Sequence, residues 1–125
     1  MEARKEIIQS YISAYNAFDV AGMLAHLADD VVFENVSGGE VNLRTDGKDA
    51  FKAQAEQALA YFSKRKQTPT SWTEDEDTVT VEIDYSAILG MDFPNGMKKG
   101  DPLTMKGRSE FGFSGNEIVS IRDFS

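Results

Sequence analysis

The sequence predicts an α+β fold, with three helices from its first half packed on one face of a mainly antiparallel sheet built largely by its second half. Two observations carry this. Apolar residues recur at three- and four-residue steps up to Phe62, and from Thr68 onward they alternate with polar ones. A third is size: 125 residues with 41% apolar and 10% aromatic content suit one core, so residues 1–125 are read as a single domain.

Ile7, Ile8, Tyr11, Ile12, Tyr15 and Phe18 form the buried stripe of a first helix over about Ala3 to Ala17. Asp19 stands at an N-cap position ahead of Val20, Met23, Leu24 and Leu27, which predicts a short second helix stopped by Asp29-Asp30. Val31 to Val36 is β-branched and aromatic, a strand composition, and Ser37-Gly38-Gly39 breaks it. A loop is expected from there to Gly47. Phe51, Ala55, Ala58, Leu59 and Phe62 then share one face of a third helix beginning at Lys48, capped by Asp46 or Asp49. Lys64-Arg65-Lys66 follows its expected end, where cations favour the negative pole of the helix dipole.

The second half has period two. Thr68, Thr70 and Trp72 alternate, and Pro69 is expected near the start of this strand, where a missing donor is tolerated. Glu74-Asp75-Glu76-Asp77 makes a solvated turn. Val79, Val81, Ile83, Tyr85, Ala87 and Leu89 share the inner face of a long strand, with Thr80, Glu82, Asp84 and Ser86 outside. A glycine-rich loop from Gly90 to Pro102 carries Met91, Phe93 and Met97 and has the composition of a lid or a dimer contact. Leu103, Met105, Ser109, Phe111 and Phe113 line up in the next strand against Thr104, Lys106, Arg108 and Glu110. Ser114-Gly115-Asn116 turns the chain into a closing strand, Glu117 to Phe124, with Val119, Ile121 and Asp123 inward.

Thirteen basic against twenty-one acidic residues give a net charge of −8, which argues against nucleic acid and anionic membrane surfaces as partners. The chain has no cysteine and one histidine, His26, expected to face solvent. Disulfides, thiolate ligands and multi-histidine metal sites are excluded; no metal and no cofactor are expected. The charged start, Met1-Glu2-Ala3-Arg4-Lys5-Glu6, lacks the apolar segment of a signal peptide, and no apolar run approaches a membrane span, so a cytoplasmic location is expected.

Tyr11-Ile12-Ser13-Ala14-Tyr15-Asn16-Ala17-Phe18-Asp19, Gly22-Met23-Leu24 and Leu27-Ala28-Asp29-Asp30-Val31-Val32-Phe33-Glu34-Asn35, with Gly47 and the Phe111-Gly112-Phe113 and Gly115-Asn116-Glu117-Ile118 segments, form a recognisable series. It resembles SnoaL-like and ketosteroid isomerase-like proteins of the nuclear transport factor 2-like superfamily over nearly the whole chain. The resemblance implies a cystatin-like cone, its curved sheet and helices enclosing an apolar pocket, and a fold that hosts isomerases, cyclases, dehydratases and non-catalytic modules alike. In the isomerases a tyrosine and a protonated aspartic acid hold a dienolate oxygen while a second aspartate moves the proton. Tyr11 falls at the tyrosine position, Asn35 at the proton-shuttling aspartate and Ser109 at the second donor, so only one of the three residue types is kept.

Asp123 is the remaining candidate base, because relatives of the SnoaL type carry a working acid on their closing strands; the competing reading is a solvated carboxylate beside Arg122. Tyr11, Asn35, Ser109 and Asp123 are the candidate catalytic residues. Tyr15, Phe33, Phe51, Trp72, Tyr85, Met105 and Phe111 are the candidate ligand-binding residues, although each ring is also a natural core filler. Two functions fit. One is an isomerase, cyclase or hydratase acting on a small apolar ketone- or polyketide-like molecule; the other is a non-catalytic ligand-binding or dimerisation module. A homodimer is expected, and in the module reading it forms through the outer sheet face.

Overall fold

The apolar stripe of the first helix is buried as its spacing requires: Ile8, Tyr11, Ile12 and Ala14 all face the core. Each large side chain so buried contributes about 1.5–3 kcal/mol of transfer free energy. The computed structural model describes residues 2–125. Its elements are α1 (Glu2–Asn16), α2 (Val20–Leu24), β1 (Leu27–Ser37), β2 (Glu40–Asp46), α3 (Lys48–Ala58), a 3-10 turn (Leu59–Tyr61), β3 (Phe62–Asp75), β4 (Thr78–Leu89), β5 (Pro102–Ser114) and β6 (Glu117–Phe124).

The strands form one curved six-stranded sheet in the order β2-β1-β6-β5-β4-β3, parallel between β1 and β6 and antiparallel elsewhere. The helices cover its inner face, and Ile8, Tyr11, Ile12 and Phe51 meet Val79, Val81, Phe111, Ile118 and Ile121 there. The architecture is the predicted α+β cone. Among the described residues no helix is long and apolar enough to cross a membrane.

Several boundaries differ from the sequence reading. The second helix ends at Leu24, because Leu27 is drawn into the sheet opposite Ile118; Asp29 and Asp30 lie exposed within β1 rather than stopping a helix. The expected loop before Gly47 is a strand. Gly38 and Gly39 take φ of 61° and 83°, the backbone of a tight hairpin turn, and return the chain as β2. That strand lies at the sheet edge and is mostly exposed, so it carries no apolar alternation.

Neither Asp46 nor Asp49 caps α3, whose N-cap position is Gly47 at φ 95° without a side-chain bond. The helix also stops before Phe62, which opens β3. Pro69 is mid-strand, not near its start, and is tolerated because β3 is an edge strand whose register shifts between Pro69 and Ser71. Lys64-Arg65-Lys66 lies in β3, one residue type facing in and two out: Arg65 is buried, with its neighbours exposed.

Arg65 fastens the end of α1. Its Nε donates to the Tyr15 carbonyl at 2.7 Å, and its guanidinium lies 3.8 Å from the Tyr15 ring centre and 4.5 Å from that of Phe18. Phe18 has φ 59°, the left-handed turn that ends a helix, with Asp19 N–H donating to Ala14 O at 2.8 Å and Phe18 N–H to Tyr15 O at 3.1 Å. The Arg65 stack accounts for an aromatic residue where glycine is usual. At the other end Arg4 donates to the Glu76 carbonyl and to Asp77, so the acidic turn is an anchor for α1 rather than a freely solvated hairpin.

β6 contains a bulge. Phe113 pairs with Ile118 and Gly112 with Ser120, leaving Val119 without an opposite residue. Ile118 and Ile121 are therefore both buried, and Val119, expected inward, is only half-buried. The extra residue shifts the alternation so that Asp123, two after Ile121, faces inward.

Beside it, β5 and β6 approach closely: a Cβ on Gly107 would lie 2.6 Å from the Phe124 carbonyl oxygen. Because the obstacle is backbone, Gly107→Ala must push the two strands apart. We expect it to cost about 1–3 kcal/mol, measured as a lowered urea midpoint at unchanged slope.

Candidate functional site

Strand register brings three of the predicted residues into one row. Asn35 on β1 is opposite Asp123 on β6, and Asp123 is opposite Ser109 on β5. Two rows along, Gln67, Tyr85 and Met105 are opposite one another across β3, β4 and β5. The row between them holds Gly107, opposite Ile83 on β4, which also lines the cavity. These residues, with Tyr15 from α1, bound a cavity of about 270 Å³.

The Asp123 carboxylate accepts a hydrogen bond from Ser109 Oγ at 2.6 Å. Burial pushes its pKa up to about 6, and the Ser109 bond opposes that shift by favouring the ionised form. It is mostly buried and lines the cavity. Ser109 has one proton and gives it to Asp123, so it cannot donate to a ligand at the same time. Asn35 is held by its own bond, Nδ2 donating to Asn42 Oδ1 at 2.9 Å.

The second polar group is a pair of phenols. Tyr15 and Tyr85 place their hydroxyl oxygens 2.9 Å apart. Burial raises both pKa values; for Tyr15 the neighbouring Tyr85 adds to this and Arg65 opposes it, and for Tyr85 the Tyr15 bond and Arg65 oppose it. Both therefore stay protonated near neutral pH. Two protons serve one shared bond, which leaves one free to donate to an oxygen in the cavity.

Tyr11 is buried, edge-on to Phe111 at 5.6 Å, and is not among the residues lining this cavity. Burial and then the Asp123 charge push its phenol above the usual range, against the pull of Arg65. Phe33 and Phe51 pair with each other at 5.5 Å, Phe111 is in the core, and Trp72 packs against it with Lys5 Nζ 5.1 Å from the ring centre. The structure thus places Tyr15, Tyr85, Met105, Asn35, Ser109 and Asp123 on the cavity and Tyr11, Phe33, Phe51, Trp72 and Phe111 in the packing around it.

Phe62, Gln67, Ile83, Leu103, Arg108 and Phe124 complete the wall without having been singled out in the sequence. Gln67 carries a buried side-chain oxygen without a partner. Inward alternation from Arg65 would have found it, had β3 been extended back to Phe62. In the Gly90 to Pro102 segment, Phe93 packs on Tyr61 and Phe62 at 6.0 and 6.3 Å, so it supports the wall from behind. His26 is exposed, and among the described residues no three histidine, cysteine or acidic side chains gather as a metal site.

The SnoaL-like domain family matches residues 8–121. The chain belongs to the SnoaL-like family. A candidate polyketide cyclase from Xanthomonas campestris pv. campestris is 20% identical to this SnoaL-like chain, with a TM-score of 0.83 over 99% of this chain and 90% of that one. A ketosteroid isomerase-like protein from Catenulispora acidiphila, solved in complex with trimethylamine, is 18% identical with a TM-score of 0.78, covering 96% and 85%. TerC, co-crystallised with polyporic acid, is 16% identical with a TM-score of 0.75, covering 97% and 89%. At these identities the likeness shows the fold. No curated protein matches the SnoaL-like chain by sequence.

The raised Asp123 pKa has a consequence for stability. Between the ordinary value, 3.8, and about 6 the folded chain binds this proton more tightly than the unfolded chain. Stability therefore falls as pH rises through that window, and the full cost is present above about 6. With allowance for solvent in the cavity, we expect Asp123→Asn to stabilise the fold by about 1–2 kcal/mol at pH 8 and by nothing at pH 3. Urea titrations at the two pH values check this, and carboxyl NMR should find Asp123 titrating near 6.

Proposed function

We propose that this SnoaL-like protein moves a proton on a small ketone- or polyketide-like molecule, with Asp123 as the acid–base group. The observation that carries the reading is the Asp123 carboxyl on the cavity wall with its pKa about 6, close to where a general base works best. Asn35, at the position of the relatives' shuttling aspartate, is its direct cross-strand neighbour. The acid is displaced by one strand, about 4.8 Å, and not lost.

In the proposed step the Asp123 carboxylate takes a proton from the carbon beside the ketone. The C–H electron pair moves into an enolate, whose oxygen accepts the free phenolic proton of the Tyr15–Tyr85 pair as a hydrogen bond. Asp123, now the acid, returns the proton to another carbon, giving an isomer; alternatively the enolate carbon attacks a second carbonyl of the same molecule, closing a ring, and the alkoxide oxygen so formed takes the proton back from Asp123. At about 270 Å³ the cavity lies just below the range usual for drug-sized ligands, which favours a small substrate. Ile83, Leu103, Met105 and Phe124 supply the apolar surface for it.

Ser109 spends its only proton on Asp123, which supports the second reading, a binding module without turnover. The two part on one experiment. Deuterium exchange at the carbon beside the carbonyl of small cyclic ketones should be accelerated by the wild type, with a rate that rises with pH through about 6 and then levels. Asp123→Asn should lower it roughly 10²–10⁴-fold while ligand binding persists. Binding without exchange in the wild type would leave the module reading standing and end the enzymatic one.

The outer sheet face carries Thr80, Glu82, Asp84, Lys106 and Glu110, charges of both signs suited to pairing across a two-fold axis, and we propose a homodimer through it; Arg108, expected on the same face, also borders the cavity. Light scattering should give twice the 13.8 kDa chain mass. The cysteine-free composition fits a cytoplasmic setting.

A further inference from the structure

Arg65 is only 6% exposed, yet its Nη2 has no hydrogen-bond partner, and among the described residues it forms no ion pair. Its Nε is matched to the Tyr15 carbonyl and its faces to two aromatic rings. Those contacts hold the guanidinium flat and in place at the negative end of α1, but among the described residues no carboxylate pairs with it. A buried charge without a counter-charge is costly, and chains keep one where something else supplies the counter-charge.

Arg65 lies on the wall of a second cavity, about 540 Å³, which shares Leu103 with the first. Phe18, Ala87, Ile88, Pro102 and Leu103 give this cleft an apolar wall, and Lys64 and Lys66 border it as well. In a chain of net charge −8, three consecutive basic residues at one cleft create a local positive field that draws anions and repels cations.

We infer that this cleft is a second binding site, for a small organic acid whose carboxylate pairs with the Arg65 guanidinium while its apolar body lies against Phe18, Ala87 and Leu103. With Nε bonded to the Tyr15 carbonyl, the unpartnered Nη2 is the donor left for a carboxylate, and the apolar wall favours a hydrocarbon body over a fully hydrated inorganic anion. The site does not depend on Asp123 or on any turnover. Leu103 lines both cavities, so an acid bound here touches the wall of the first.

The test titrates the full chain with benzoate and follows the Arg65 side-chain ¹⁵N resonances by NMR, with benzyl alcohol and inorganic phosphate as comparison probes. Benzoate should shift Arg65 saturably, and the two other probes should bind at least tenfold more weakly. Arg65→Gln should abolish the benzoate affinity. Should that variant not fold, Ala87→Leu keeps the guanidinium and fills the cleft, and should weaken benzoate at least tenfold while leaving Asp123 titrating near 6. An Arg65 resonance unmoved by benzoate, equal binding of benzyl alcohol, or equal binding of phosphate would each overturn the assignment.

Discussion

The guanidinium of Arg65 is where the helical layer and the sheet are joined, and much of the cavity's geometry follows from it. α1 ends with unsatisfied carbonyls, as every helix does, and Arg65 reaches from β3 to take the one on Tyr15. The positive charge also sits at the negative pole of the helix. Because its faces are covered by the Tyr15 and Phe18 rings, the same residue sets the position of the Tyr15 phenol, which in turn meets Tyr85 from β4. Asn16 reinforces the joint by bonding both the N–H and the carbonyl of Gln67. Helix end, edge strand and cavity wall are thus one connected unit.

The opposite wall is built on a different principle. Asp123 is kept in a place that disfavours its charge, and Ser109 compensates only in part. The core a few ångströms away is wholly apolar, with Val81, Phe111 and Ile121 essentially inaccessible. Folding would be better served by a neutral residue there. The two walls therefore differ: one is rigid and well bonded, the other holds a carboxyl ready to change its protonation.

Legibility from the sequence followed burial. α1 and β4 were readable because one face of each is covered, which imposes the three-to-four-residue and two-residue periods on their apolar residues. β2 was not, since an exposed edge strand has no face to mark. The acid on the closing strand was legible from its residue type and from the family resemblance. Its inward direction followed from a count through Val119 that happens to coincide with the bulged register, although Ile118 rather than Val119 begins the buried set. Arg65 was read as a cation at a helix end, which it is, but the helix is α1 and the contact spans fifty residues. Long-range pairing of that kind leaves no local pattern. Gln67 was not singled out, and Phe62 was assigned to the third helix, for a related reason: the strand that carries them begins earlier than its alternation does.

The unpaired residue in β6 bears on how such a site changes over time. Since alternation in a strand has period two, one residue more or fewer before Asp123 exchanges what faces the cavity for what faces outward. Arg122 and Phe124 are the neighbours that would take its place. In this fold the identity of the cavity's acid is encoded by length as well as by residue type. Two chains with the same aspartate, differing by a single insertion, would present opposite electrostatics to the same ligand, and position-by-position comparison of residue types would miss the difference.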